Sequence, residues 1–250
     1  MAMPLSPSPA LAAFLAADPA EKCARVAALT TLSPQADLPL QPGRPSRPVL
    51  VRPREVPTRG LGTVEGRAAL CHAVAHIEFN AINLALDAGL RFAGLPEAYY
   101  ADWLSVAQDE ARHFQRMQQR LRQLGFDYGD FPAHNGLWEA AEKTAHDVLV
   151  RMACVPRVLE ARGLDVTPGM IHRLREVGDP DTIAVLEVIL AEEVRHVEIG
   201  TRWFRHCCAA RQLEPVSTFR RLLQEHGIVL RPPFNEAARR EAGFVSAELE

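Results

Sequence analysis

The sequence predicts an all-α fold built on four long helices, and three observations carry this. From Thr63 onward, long stretches of Ala, Leu, Glu, Arg and His place apolar residues at helical spacing, with no β-branched run that would form a sheet. A five-residue pattern, acid-Glu-x-Arg-His, occurs twice, as Asp109-Glu-Ala-Arg-His113 and Glu192-Glu-Val-Arg-His196. Each copy is preceded by a turn signal, Gly94-Leu95-Pro96 before the first and Gly178-Asp179-Pro180 before the second.

Composition bounds the function. The chain has 250 residues, 48% of them hydrophobic, enough for a sizeable core. A net charge of −3 argues against a protein whose main business is electrostatic attachment to nucleic acid. The five cysteines form no Cys-x-x-Cys pair and read as reduced thiols of a cytoplasmic protein. No basic residue precedes the mildly apolar stretch Ala10–Ala17, so a secretory signal is not expected. Charges interrupt the later apolar runs before the roughly 20 residues of a membrane span, so no membrane partner is expected.

Residues 1–62 read as an appendage. Asp18-Pro19-Ala-Glu21 is an N-cap, a proline at the first helical position and an early acid, predicting a short helix through Val26 and Ala28. From Pro34 to Pro57 the chain carries seven prolines, interleaved with Arg44, Arg47, Arg52 and Arg54, with Arg59 just beyond. Such a segment is predicted to be extended. Either it straps along the helices with its arginine heads in water, or it offers a phosphate-binding strip.

Residues 63–212 read as the helical domain. Its first helix is predicted from Val64 to Phe92 and its second from Glu97 to Leu124, stopping at Gly125. A third begins near Asn135-Gly136-Leu137 and is expected to break at Gly163, with a short helical turn over Met170–Val177. A fourth runs from Pro180 to about Arg211. Residues 213–250 supply a shorter helix from Pro215 to Gly227 and a tail packed across one end.

In a helix, a residue and its third successor share one face, so each Glu-x-x-His offers a carboxylate and an imidazole to one point. Glu110 with His113, and Glu193 with His196, are therefore two metal half-sites. A bundle holding two metals takes one further glutamate from each of the other two helices. Glu78 lies 32 residues before Glu110 and Glu160 lies 33 before Glu193, while the offset between the halves is 82 or 83 throughout. The turn signals fall midway in each interval, so antiparallel legs bring the ligands to one height. Carboxylate and imidazole without thiolate suit iron or manganese: two iron ions, or a manganese–iron pair.

Asp109 and Glu192 either accept the second ring N–H of a ligating histidine, in the crossed sense Asp109 to His196 and Glu192 to His113, or pair with Arg112 and Arg195. His76 lies about 200° round the helix from Glu78, so it and His72 read, with His146, as polar core or surface groups. Ile77, Ala81, Ala107, Phe114 and Leu159 are expected to line a dry pocket.

These residues carry a resemblance. The chain is similar to the ferritin-like di-iron carboxylate superfamily, and within it resembles a bacterial family catalogued as domain of unknown function four-five-five. The similarity rests on the Arg/Pro-rich arm, Ala75-His-Ile-Glu78, the two acid-Glu-x-Arg-His motifs, the segment Val155–Asp165, Pro233-Phe-Asn235 and Ala242-Gly-Phe244. It implies a ferritin-like four-helix bundle with a long crossover, and the ligands Glu78, Glu110, His113, Glu160, Glu193 and His196. Where reductases of that superfamily carry a radical tyrosine, one turn past the first ligand histidine, this chain has Met117. Gly163 and Pro168 suggest that the third helix ends or bulges just past Glu160.

The expected activity is that of an oxygen-activating oxidoreductase, taking O2, a small organic substrate to hydroxylate or desaturate, and electrons from a reductase. Two alternatives are a ferroxidase or iron-handling protein and a tRNA-modifying hydroxylase, for which the Arg44–Arg59 strip and Arg239-Arg240 would contact phosphates.

Overall fold

The computed structural model describes residues 7–249, so the opening Met1–Ser6 of the signal argument lies outside the described residues. The protein is all-α: among the described residues there is no strand, only an isolated bridge between Leu50 and Ala133. It divides into two compact units, one of residues 1–59 and 65–138, the other of residues 60–64 and 139–250.

The first unit is organised by two long helices, α3 (Val64–Arg91) and α4 (Glu97–Gln123), after two short ones, α1 (Pro9–Leu15) and α2 (Pro19–Ala27). Asp18 caps α2 as its sequence predicts, its Oδ1 accepting from Glu21 N at 2.8 Å. The turn after α3 depends on Gly94, at φ 78°, a conformation that costs glycine little. Two tyrosines of α4 pin that turn: the hydroxyl of Tyr99 donates to Ala88 O and that of Tyr100 to Phe92 O, each at 3.1 Å. Lower down, Phe79 packs on Phe114 with ring centroids 5.5 Å apart. α3 is long and apolar enough to cross a membrane by composition, yet 78% of its most apolar window is buried inside the protein.

The proline-rich arm forms no α-helix and no strand; it bends repeatedly, with a turn at Ala36–Asp37 and a 3-10 turn at Pro53–Glu55. Val51 N donates to Ala133 O at 2.8 Å and Ala133 N to Val49 O at 3.1 Å, tying the arm to the segment after α4. Farther along, Trp138 Nε1 donates to Leu40 O. Arg44, Arg47, Arg52 and Arg54 are exposed, and the Arg59 guanidinium lies 5.1 Å from the centre of the Phe131 ring.

The second unit holds α6 (Val148–Cys154), α7 (Ala161–Glu176), α8 (Pro180–Ala210), α9 (Pro215–Glu225) and α10 (Glu236–Glu241), while α5 (Gly136–Lys143) crosses the boundary between the units. Here the expected third helix is corrected. The break falls before Val148, where Asp147 turns extended at φ −151° and caps α6 through Leu149 N. α6 then passes into a π-helical segment, Val155–Glu160, and α7 runs unbroken through Gly163, Pro168 and Met170. The bulge therefore runs up to Glu160 and includes it, instead of following it.

Pro168 survives inside α7 because its cost is met from elsewhere. A proline cannot donate to the carbonyl four residues back, which is that of Leu164. Asn235 Nδ2 donates to Leu164 O at 3.2 Å instead, and Asn235 N donates to Asp165 Oδ1 at 2.9 Å. The next helix begins as predicted: Gly178 has φ 69°, and Asp179 caps α8 through Thr182 N at 3.1 Å.

Candidate metal centre

In the first unit the structure brings three of the predicted ligands together. Glu78 comes from α3, and Glu110 and His113 from one face of α4, a helical turn apart. His113 Nδ1 lies 3.3 Å from Glu78 Oε2 and 3.3 Å from Glu110 Oε2. One ligand atom from each of the three falls within 4.8 Å of the others. All three side chains are buried, Glu110 and His113 completely.

Two carboxylates facing each other in a buried site repel unless a cation joins them. Burial by itself would lower the His113 pKa, but hydrogen bonds and charge from Glu110 and Glu78 outweigh it and push the imidazolium up to about 11. The two carboxylates thus converge on one imidazole, an arrangement in which a cation would offset their repulsion. Carboxylate oxygens with an imidazole nitrogen, and no thiolate, fit iron or manganese.

In the second unit, His196 is buried and its Nδ1 lies 3.6 Å from Glu193 Oε1, whose side chain is 13% exposed. Glu160 ends the π-helical segment with its Oε2 buried. Within this unit, Glu160 does not join Glu193 and His196 at the spacing of the first triad. A π turn advances the chain by one residue relative to an α-helix, so it re-aims the side chain that follows. That segment packs against α8 closely enough to demand a glycine: a Cβ on Gly200 would lie 2.3 Å from Pro156 Cβ. Gly200 sits one turn past His196, so the signal was present as a glycine inside a helix, but its meaning required the partner.

Asp109 pairs with Arg112 on its own helix, one of the two arrangements open to it. His72 Nε2 accepts from Gly129 N at 3.0 Å, and His76 Nδ1 is hydrogen-bonded to the Tyr128 hydroxyl at 2.9 Å, as polar core groups. Ala81, Ala107 and Phe114 are buried as expected of a dry pocket, whereas Ile77 is not part of one. It is 46% exposed, because its place on the helix turns it outward beside the buried Glu78. All five cysteines are buried free thiols.

What sequence reasoning missed is the buried Arg157. Its guanidinium lies 4.6, 4.1 and 4.5 Å from the ring centres of Phe204, Phe219 and Phe244, and its Nη2 donates to Glu248 Oε1 at 2.7 Å. This anchors the C-terminal tail onto the π-helical segment that carries Glu160.

The chain is 46% identical over 214 residues to a protein of Haemophilus influenzae described as an uncharacterized protein, an alignment covering 82% of this chain and 74% of the relative. No solved structure matches it. The family model for "Protein of unknown function (DUF455)" matches residues 15–250, and the chain belongs to that family.

Proposed function

We propose that Glu78, Glu110, His113, Glu160, Glu193 and His196 hold two metal ions, and that the protein is an O2-activating oxidoreductase. In this reading α3 and α4, with the α6–α7 segment and α8, are the four helices of a ferritin-like bundle. The observation that carries it is the placement of a single buried imidazole nitrogen 3.3 Å from each of two buried carboxylates. A buried acid cluster is costly, and a site that retains it needs a cation. The second motif repeats the same residue types at the same spacing.

Two bound iron ions, or a manganese–iron pair, would supply the electrons that activate O2 for hydroxylation or desaturation of a small organic substrate. The chain's own contribution is to fix ligand number and to keep water out. Ala107 lies one turn before Glu110 and Phe114 follows His113, both fully buried, so solvent does not reach the triad from that face. An electron-donating reductase would be the partner.

Protein loaded anaerobically with ferrous iron and desalted is expected to retain about two metal ions per chain and to consume oxygen on aeration. Retention of none would overturn the reading. Hundreds of iron atoms per chain would show an iron store. Anomalous scattering at the iron and manganese edges would identify the metal.

A further inference from the structure

The C-terminal tail grips the chain on both sides of Glu160. Three residues before it, Arg157 is completely buried, with its guanidinium 4.5 Å from the centre of the Phe244 ring and its Nη2 donating to Glu248 Oε1 at 2.7 Å. Four residues after it, the Leu164 carbonyl accepts from Asn235 Nδ2 at 3.2 Å. One residue further on, the Asp165 carboxylate accepts two bonds from Arg239, from Nε at 2.9 Å and from Nη2 at 2.7 Å. The Arg239 guanidinium lies 5.1 Å from the centre of the same Phe244 ring. One ring of the tail is thus shared by the two buried guanidiniums that bracket the ligand position.

Stability alone does not account for these contacts. Arg157 with Glu248, and Arg239 with Asp165, are ion pairs whose side chains are at most 1% exposed. In such a pair desolvation offsets most of the attraction, and apolar residues of similar volume stabilise a fold as well or better. Arg157 also leaves Nε and Nη1, and Arg239 leaves Nη1, without a hydrogen-bond partner among the described residues. What a directed, charged contact adds over apolar packing is a fixed register. Register is what Val155–Glu160 needs from outside, because π winding is rare and appears as single turns set within α-helices. Relaxing it to α-helical winding would turn Glu160 by about 100°, one residue's step, relative to the residues before it.

We propose that Arg157 and Glu248 are positioning residues for the metal site. Through them, and through Arg239, the tail locks the π turn in the winding that aims Glu160, so that docking of the tail and binding of metal at Glu160 are coupled. The inference rests on Glu160 being a ligand, as in the function proposed above. Such coupling is reciprocal, so bound metal also tightens the tail.

Two measurements on the full-length chain separate this inference from the metal reading. In the metal-free protein, Glu248→Gln is expected to speed amide hydrogen exchange across residues 155–160 about tenfold or more, while α3 and α4 keep their protection. Unchanged exchange over residues 155–160 would overturn the proposal. With cobalt(II) as the probe, Glu248→Gln and Glu160→Gln are each expected to weaken binding about tenfold or more. The double variant is expected to bind no more weakly than Glu160→Gln, since the tail acts through that carboxylate. A substitution that merely weakened the fold would lose affinity in both backgrounds, so additive losses would overturn the proposal, as would undiminished cobalt binding by Glu248→Gln. If Glu248→Gln does not fold, Phe244→Leu, which removes the shared ring and keeps an apolar side chain, takes its place in both measurements. Native protein that binds no cobalt would overturn the metal reading and with it the role of Glu160, while the exchange result still decides whether the tail sets the turn.

Discussion

His113 Nδ1 lies 3.3 Å from Glu78 Oε2 on α3 and 3.3 Å from Glu110 Oε2 on its own helix, so one ring nitrogen joins carboxylates from two elements. Replacing Glu110 by alanine therefore removes one donor and leaves Glu78 and His113 as a simple pair. Iron or cobalt affinity is expected to fall about 100-fold or more, with far-ultraviolet circular dichroism unchanged. Metal counting after dialysis, beside an Arg44→Gln control, measures this.

Gly200 faces Pro156 across the π-helical segment, where an added Cβ would lie 2.3 Å from the proline ring. Gly200→Ala is expected to destabilise the protein by about 1–3 kcal/mol through overpacking. It should also weaken metal retention, since the segment it displaces carries Glu160. Denaturant unfolding midpoints and metal counts on the same sample check both effects. A neutral Gly200→Ala would show that the segment yields freely.

Arg157 is completely buried among three phenylalanine rings and meets Glu248, whose side chain is 1% exposed. Burial lowers the Arg157 pKa while the Glu248 charge and hydrogen bond raise it. Removing one partner leaves an uncompensated buried charge, so Glu248→Ala is expected to cost about 3–5 kcal/mol. Replacing both, Arg157→Met with Glu248→Leu, should recover most of that loss. Chemical denaturation of the single and double variants decides it.

Lys22 is buried, with Nζ donating to Ala13 O at 3.1 Å and Phe14 O at 2.7 Å at the end of α1. Burial lowers its pKa to about 7 from an ordinary 10.5. Between those values the unfolded chain binds the proton more tightly than the folded one, so stability rises with pH from about 7. Below pH 7 both states are charged and the burial cost is fully present. The slope can reach about 1.4 kcal/mol per pH unit, and the comparison is cleanest below pH 9, before Cys23 ionises in the unfolded chain. His113, held up at about 11, gives an opposing slope above pH 6.5 that both chains share. The difference in unfolding midpoint, native chain minus Lys22→Met, is therefore what should rise from pH 7 to 9.

Much of the site was legible because helical periodicity is a local rule. Glu110 with His113, and Glu193 with His196, are spaced to share a helix face whatever surrounds them. Glu78 followed from the midpoint position of Gly94, whose φ of 78° is the turn that the argument required. Ile77 was misjudged because the register of α3, set by what packs on it, turns that residue outward. That the arm is not helical was legible from its prolines, but not that Val49 and Val51 bond to Ala133, since no local pattern records which segment an arm lies against.

The sequence by itself determined the all-α class, the long helices α3, α4 and α8, their turns, and the repeat that marks the candidate ligand positions. These follow from spacing, capping and backbone preference, which act within a few residues. Tertiary structure alone decided that the third helix breaks at Asp147 and not at Gly163, and that a π turn rests on Gly200. It also decided that Pro168 is tolerated, because the Leu164 carbonyl it frees accepts from Asn235, 71 residues away. The physical reason is the same in each case: a strained or unsatisfied backbone is paid for by a contact distant in sequence, and only the folded chain contains it.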